Sequence, residues 1–495
     1  MPVQHVFVLM LENRAFDHML GFAAITGRDA ETGQPTQVKG LTGSESNVFN
    51  GSPYSVSKGA DNVMPVDPGH EFTNVLEQLC GAGVNYPRGG AYPAIDKSGF
   101  VASYVGSGGS AAPGEIMKCF SPDQLPVLVA LAQEFAICDN WHASMPGPTW
   151  PNRMFVHAAS SGGLDHSPTN QEIVEWETIG GFPFKAGSIF DTVKHKGLAF
   201  RLYAGDDFPM AAALKGISLF DIHHYSDFAG DLGKTSFPYN YVFIEPSYDV
   251  LNEYRNSTSQ HPLTDVTLGE GLIKETYEAI RKSAIWETSV LIITWDEHGG
   301  FYDHVTPPAA VAPGDSSPND KYSQYGFTFE QYGPRVPAVV VSPLIPKNTI
   351  DHRLYDHASV PAMIETVFGL SPLTARDRQA NGPQQLLSLS EARPDTPMTL
   401  PSPAGAARAG MSMAVPDLDT STASRPDETV NQGTLPVILN AALRQDLEMS
   451  PPEERAEILK RVQSIKTREQ ARKYLADVQK KLRKQKPVPD KSNKP

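Results

Sequence analysis

Apolar residues run in short unbroken blocks along the first three quarters of the chain. HVFVLMLEN (5–13), YVFIEP (241–246), SVLIITWDE (289–297) and RVPAVVVSP (335–343) show no polar alternation. Such blocks predict strands covered on both faces, as in a parallel sheet. Between them the apolar spacing shifts to that of helices. DQLPVLVALAQEFAICDN (123–140) reads as a helix running into a short strand, and PNRMFVHAA (151–159) as a helix opening at Pro151. SIFDTVKHKG (188–197) predicts a helix closed by Gly197 and followed by the strand LAFRLYAG. LIKETYEAIRKS (272–283) and ASVPAMIETVFG (358–369) complete the set. Strands alternating with helices predict an α/β fold with a mostly parallel central sheet flanked by helices. The chain has no internal repeat.

The pattern changes near residue 385, where a stretch rich in Pro, Ala, Ser and Thr reads as a linker or a surface-draped segment. Two further helical segments follow, TLPVILNAALRQDLEMS and PPEERAEILKRVQSIKTREQARKYLADVQKKLRKQK. In the second, Ile458, Val462, Ile465, Ala471, Leu475, Val478 and Leu482 recur on one face. The expected organisation is a catalytic domain over 1–390, a linker over 391–430 and a basic helical extension over 431–495.

Net charge sharpens this division. The 495 residues carry −14, yet residues 451–495 alone carry +8, so the rest carries −22. An acidic body excludes a nucleic-acid footprint; the basic tail suits either that body or an anionic membrane. Glycine (40) and proline (42) are frequent, so long shaped loops are expected. Three cysteines, Cys80, Cys119 and Cys138, make no disulfide framework, though one Cys80–Cys119 bridge is open. No apolar run is long enough for a membrane span, and the first residues read as a strand without a basic leader or cleavage site. A cytoplasmic location, export without a leader, or prior trimming all fit.

The chemistry gathers at the ends of the two most apolar strands. The first ends in Glu12 and Asn13, the later one in Asp296 and Glu297 followed by Gly299 and Gly300. Ligands of open α/β sheets bind beyond the carboxyl ends of the strands. Three carboxylates and a carboxamide gathered there suit one divalent cation; Zn, Ca, Mg and Mn all remain open. His70, His223, His224, His261, His298 and His304 fall in loops or at element ends, as a hydrolytic site needs. SMPGPTWPNR (144–153) packs three prolines around Thr149 and reads as a stiff irregular loop. A threonine hydroxyl attacks only with a neighbouring base or metal, and the carboxylate set supplies a place for the metal.

These stretches come in a familiar order. ENRAFDHMLGF, PVLVALAQEFAICDNWHASMPGPTWPNRMFVHAA, HPLTDVTLGEG, SVLIITWDEHGGFYDHVTPP, GPRVPAVVVSPLIPKNTIDH and DHASVPAMIETVFGLSPLTARDRQA span about residues 3 to 390. Together they resemble the phospholipase C and acid phosphatase phosphoesterases, especially the non-specific phospholipases C of plants. The resemblance implies an alkaline-phosphatase-like core and a metal-assisted threonine nucleophile, Thr149. It implies Glu12, Asn13, Asp296 and Glu297 as metal-binding residues and His261 near the leaving group. His70, His223 and His224 are the looser matches to the remaining site histidines. The expected function is hydrolysis of glycerophospholipids such as phosphatidylcholine to diacylglycerol and a phosphorylated headgroup. A phosphomonoesterase of the acid phosphatase type shares every phosphoryl-binding motif and is the first rival. A non-catalytic protein that binds membrane surfaces through the basic tail is the second.

Overall fold

Seven apolar or fully covered residues, His5–Leu11, form β1, the spine of the molecule. The structure, a computed structural model, describes residues 3–178, 180–405, 418, 423, 425–431 and 433–485. Most of 406–424 and all of 486–495, parts of the expected linker and basic tail, lie outside the described residues.

The chain continues through β2 (Thr26–Asp29), β3 (Pro35–Gln37), the hairpin β4 (Ser46–Phe49) and β5 (Ser52–Ser55), and β6 (Ser57–Lys58), which pairs with β7 (Lys118–Cys119). Then come β8 (Ala136–Cys138), β9 (Phe200–Ala204), β10 (Ile222–His224), β11 (Tyr241–Glu245), β12 (Ser289–Trp295), β13 (Ala338–Val341) and β14 (Thr349–Asp351). Ten of these make one sheet in the order β10-β9-β11-β1-β12-β13-β8-β14-β2-β3. Most pairs are parallel, as expected, with β1 between β11 and β12. β13 runs antiparallel to both β12 and β8. An apolar run covered on both faces looks the same in either direction, so the sequence pattern could not foretell this reversal.

Three corrections to the sequence reading follow. SMPGPTWPNR is not loop throughout: Thr149 begins the helix Thr149–Ala158. Pro151 is tolerated because the first turn of a helix has no intrahelical use for its N–H groups. Cys80 and Cys119 are not bridged; all three cysteines are free and buried. Their thiols point to separate backbone carbonyls, Pro93 for Cys80 and Met117 for Cys119. Finally, β10 stands at the sheet's edge, with consequences for His223 and His224 described below.

The C-terminal helices Leu435–Met449, Arg455–Gln463 and Arg468–Gln485 do not stand apart. Leu439, Ala442, Leu443, Val462, Ala471, Leu475 and Val478 are buried in the same hydrophobic core as β1 and β12. The apolar stripe of the last two helices is thus covered by protein. The start of the expected linker is tied down too: Tyr277 donates to the Pro397 carbonyl at 2.6 Å and Arg281 to that of Thr396 at 3.1 Å. Among the described residues no helix is long and apolar enough to cross a membrane.

A buried charge cluster fixes the entry to β13. Arg335 is fully buried and donates to Asp17 at 2.8 Å, to Asp303 at 2.9 Å and to the carbonyls of Lys39 and Asp139. Its guanidinium also lies 4.3 Å from the centre of the Phe16 ring. Removing one member of such a set strands the others without compensation. Arg335→Met is expected to cost about 3–5 kcal/mol, seen as a fall in thermal midpoint on the order of 10 °C. An unchanged melting curve would show the cluster to be dispensable.

The shared core makes a second prediction. A chain ending at Thr429 exposes the surface now under Leu439, Leu443 and Val462, and it should be recovered mainly as aggregate. Soluble protein with the full-length melting midpoint would mean that the extension folds independently.

Candidate active site

Register creates the site. β1 pairs with β12 in parallel from His5↔Ser289 to Leu11↔Trp295, so both acidic pairs leave the sheet side by side. The Asn13 N–H donates to Asp296 Oδ1 at 2.9 Å, and the Glu297 N–H reaches the same oxygen at 2.8 Å. Asn13 adopts φ +58, a left-handed conformation that asparagine tolerates better than most residues. Gly299 faces the Asn13 backbone, where a Cβ would lie 2.1 Å from the Asn13 carbonyl oxygen, so glycine is required.

One helix brings the remaining parts. Thr149, at its first position, accepts from Asn13 Nδ2 at 2.9 Å. Four residues on, and so on the same face, Arg153 donates through Nε to Asp296 Oδ2 at 2.9 Å. The Asn13 amide also bonds Glu297 Oε1, while Glu297 Oε2 accepts from the Gly299 N–H at 2.8 Å. Glu12 is the exception. It is fully buried, and neither carboxylate oxygen has a hydrogen-bond partner; Asn13 Oδ1 also lacks one.

The electrostatics follow from burial. Burial raises the Glu12 carboxyl to about 8, with Arg153 opposing and Asp296 adding to the rise. Asp296 is pushed to about 6 by burial, against the pull of Arg153. For Glu297 burial alone would raise the carboxyl, but the charge of His70 and contact with His298 hold it below its usual value. Burial works against the His70 cation, yet Glu297, Asp67 and Glu71 raise it to about 9. A buried carboxylate without a donor is costly, and oxygen ligands free of other partners are what a hard cation takes. The partnerless oxygens of Glu12 and Asn13 therefore suit a divalent ion, with the hydrogen-bonded carboxylates of Asp296 and Glu297 beside them. Asp17, Asp303 and His304 form another acidic and histidine group, but there the Arg335 guanidinium already bonds both carboxylates.

Three of the expected histidines are at the site: His298, against Glu297 at 3.4 Å, His70 and His261. His70 lines the space above Thr149, and the His261 ring lies 6.3 Å from it. The Leu263 N–H donates to His261 Nδ1 at 3.3 Å, which leaves the imidazole proton on Nε2, facing Asp67 Oδ1 at 3.6 Å. Burial, with His70 and Arg14 adding to it, keeps His261 neutral. The Tyr254 ring stacks on it, centres 3.6 Å apart and nearly coplanar. His223 and His224 are elsewhere. They lie on β10, separated from β1 by β9 and β11, about 14 Å away at the usual strand spacing. His223 sits beside Asp231, and His224 bonds Ser226.

Sequence reasoning missed three contributors. Arg153 could have been found from its spacing of four from Thr149. Asp67 could have been found from DPGH, three residues before His70. His357 carried no signal. It accepts from Trp141 at 3.3 Å and donates to the Asp296 carbonyl at 2.6 Å, bracing the strand end from the turn before the helix Ser359–Phe368. The space above Thr149, also lined by Trp150, Gly433 and Thr434, is small, about 10 Å3, and Thr149 is only 7% exposed.

The model of the phosphoesterase family matches residues 3–371. Non-specific phospholipase C6 of Arabidopsis thaliana is 36% identical, over 81% of this chain and 75% of its own length. Non-specific phospholipase C3 of the same plant is 34% identical, over 81% and 76%. Among solved structures, a protein in the alkaline phosphatase superfamily from Vibrio parahaemolyticus shows a slight likeness. It covers 53% of this chain and 66% of its own, with 14% identity and a TM-score of 0.32. By the match over its first three quarters and by its plant relatives, the chain belongs to the phosphoesterase family and is a phosphoric ester hydrolase.

Proposed function

We propose that the protein is a phospholipase C-type phosphodiesterase acting on glycerophospholipids, with Thr149 as nucleophile. The observation that carries this reading is the convergence of Thr149, Asn13 and the partnerless Glu12 carboxylate in the crevice beyond β1 and β12. The relatives named phospholipase C support the diester as substrate.

Glu12, Asn13, Asp296 and Glu297 would hold one divalent ion: the Glu12 oxygens have no hydrogen bond, and Asp296 Oδ2, unlike the doubly bonded Oδ1, accepts only from Arg153 and keeps a lone pair. That ion, when bound, lowers the pKa of the threonine hydroxyl and polarises a phosphoryl oxygen. Asn13 fixes the Thr149 oxygen and Arg153 fixes Asp296, so nucleophile and acidic set are oriented by one helix. Thr149 Oγ1 forms the new bond to phosphorus while the glycerol ester oxygen leaves. The His70 imidazolium, which borders the same space, gives a proton to the departing glycerol oxygen and is recharged with the proton lost by Thr149, while neutral His261 offers that oxygen a hydrogen bond from its Nε2–H. Water then cleaves the phosphothreonine, giving the phosphorylated headgroup and restoring the hydroxyl. His70 and Trp150 border the Thr149 oxygen and exclude bulk water from it. A phosphomonoesterase would use the same phosphoryl contacts; side-by-side assay of phosphatidylcholine and a phosphomonoester separates the two. The basic C-terminal helix could meet an anionic membrane only through its charged outer face, because its apolar face is buried.

Thr149→Ala should reduce phosphatidylcholine hydrolysis on the order of 10³-fold with the melting curve unchanged, since little packing is lost. More than a tenth of the wild-type rate at equal metal content would remove Thr149 from the nucleophile role.

Glu12→Ala and Asp296→Ala should each lower bound metal, measured by elemental analysis of the purified protein. Metal-dependent thermal stabilisation should shrink in parallel. Full metal occupancy in both variants would rule out this ligand set.

A further inference from the structure

A much larger space adjoins the site. Beside the closed pocket above Thr149 lies a cleft of about 660 Å3, within the size range of small-molecule sites. Gly433 lines both spaces, and the bond from the Tyr254 hydroxyl to Thr434 at 3.2 Å stands between them. One wall of the cleft is the apolar run from Val63 to Val66 together with Leu263. Val63, at 45% exposure, is among the few large apolar side chains open to solvent. The opposite wall carries three arginines and two glutamates: Arg255 and Arg425 pair with Glu253, at 3.0 and 2.7 Å, Arg425 also pairs with Glu428 at 3.3 Å, and Arg468 donates to the Val250 carbonyl; Asp67 brings the lining to three cations and three anions. A cleft with an apolar strip and no net charge over its lining suits an uncharged amphiphile better than an anion.

The cleft also lies on the side where the leaving group departs. Asp67 lines it, and His261 Nε2, the proposed hydrogen-bond donor to the departing oxygen, faces Asp67. Asp67 Oδ1 has no hydrogen-bond partner and can accept from a hydroxyl. We infer that this cleft is the leaving-arm subsite. It holds the uncharged diacylglycerol portion of the substrate, with the glycerol oxygen near Asp67 and the first methylenes of the acyl chains along Val63–Val66 and Leu263. The inference rests on the phosphodiesterase reading and specifies which arm of the diester selects the substrate.

The test uses monomeric substrates, each below its micelle-forming concentration. One is 4-nitrophenyl phosphocholine, a diester whose leaving arm has no acyl chain. The others are dibutyryl- through dihexanoyl-phosphatidylcholine. For the wild-type protein, kcat/KM should rise about fourfold for each methylene the cleft buries. Val63→Asp and Leu263→Asn should flatten this dependence and lower the ratio of dihexanoyl to nitrophenyl substrate at least tenfold. Val63 is a rim residue whose replacement leaves the core intact, so Val63→Asp decides the matter if Leu263→Asn does not fold. Hydrolysis of both substrate types with the chain-length dependence unchanged in Val63→Asp would overturn the subsite while the phosphodiesterase reading stands. A changed preference between choline and ethanolamine headgroups at fixed acyl length would overturn it too, by placing the headgroup in the cleft. Failure of the wild-type protein to hydrolyse either diester would instead bring down the phosphodiesterase reading and the subsite with it.

Discussion

The parallel pairing of β1 with β12, held over seven residue pairs, sets the chemistry of the crevice. Slipping one strand by a single residue would turn its side chains to the other face and separate Asn13 from Asp296. The two strands are covered on both faces, so register is enforced by packing along their whole length. What emerges at their ends inherits that rigidity. Asp296 is then held by two backbone N–H groups, by Arg153 and, through its carbonyl, by His357. Loops alone would not position these groups so closely.

The same packing creates an electrostatic problem. Glu12, Asp296 and Glu297 are all buried, facing the cationic Arg153 and His70. The protein's own donors satisfy Asp296 and Glu297 but leave Glu12 bare. A folded chain tolerates such an imbalance where function requires it. The Arg335 cluster shows the alternative: two carboxylates, Asp17 on the helix Phe16–Leu20 and Asp303 in the loop after β12, face a guanidinium that meets both.

Much of this was legible in the sequence because unbroken apolar runs mark buried strands, and the residues ending them mark a crevice. Asn13 does bond Asp296, Glu297 and Thr149, and the charge of the buried Glu12 is close enough to act on Asp296. The proline-rich segment misled, since proline breaks a helix interior yet suits its first turn, where Thr149 sits. His223 and His224 misled for another reason. They do end a strand, but strand order decides whether a strand end borders the crevice, and no local pattern reveals that β10 is outermost. His357 was invisible because its partner, the Asp296 carbonyl, is a backbone group 61 residues away. The direction of β13 and the burial of the basic extension likewise depend on tertiary partners.

Gly433 and Thr434 come from the last eighth of the chain, yet they roof the pocket over Thr149. On the ribosome the residues from β1 to β14 emerge before this roof exists. Because the helices that carry this roof share one core with β1 and β12, the screen over the threonine closes only when they have been made and packed.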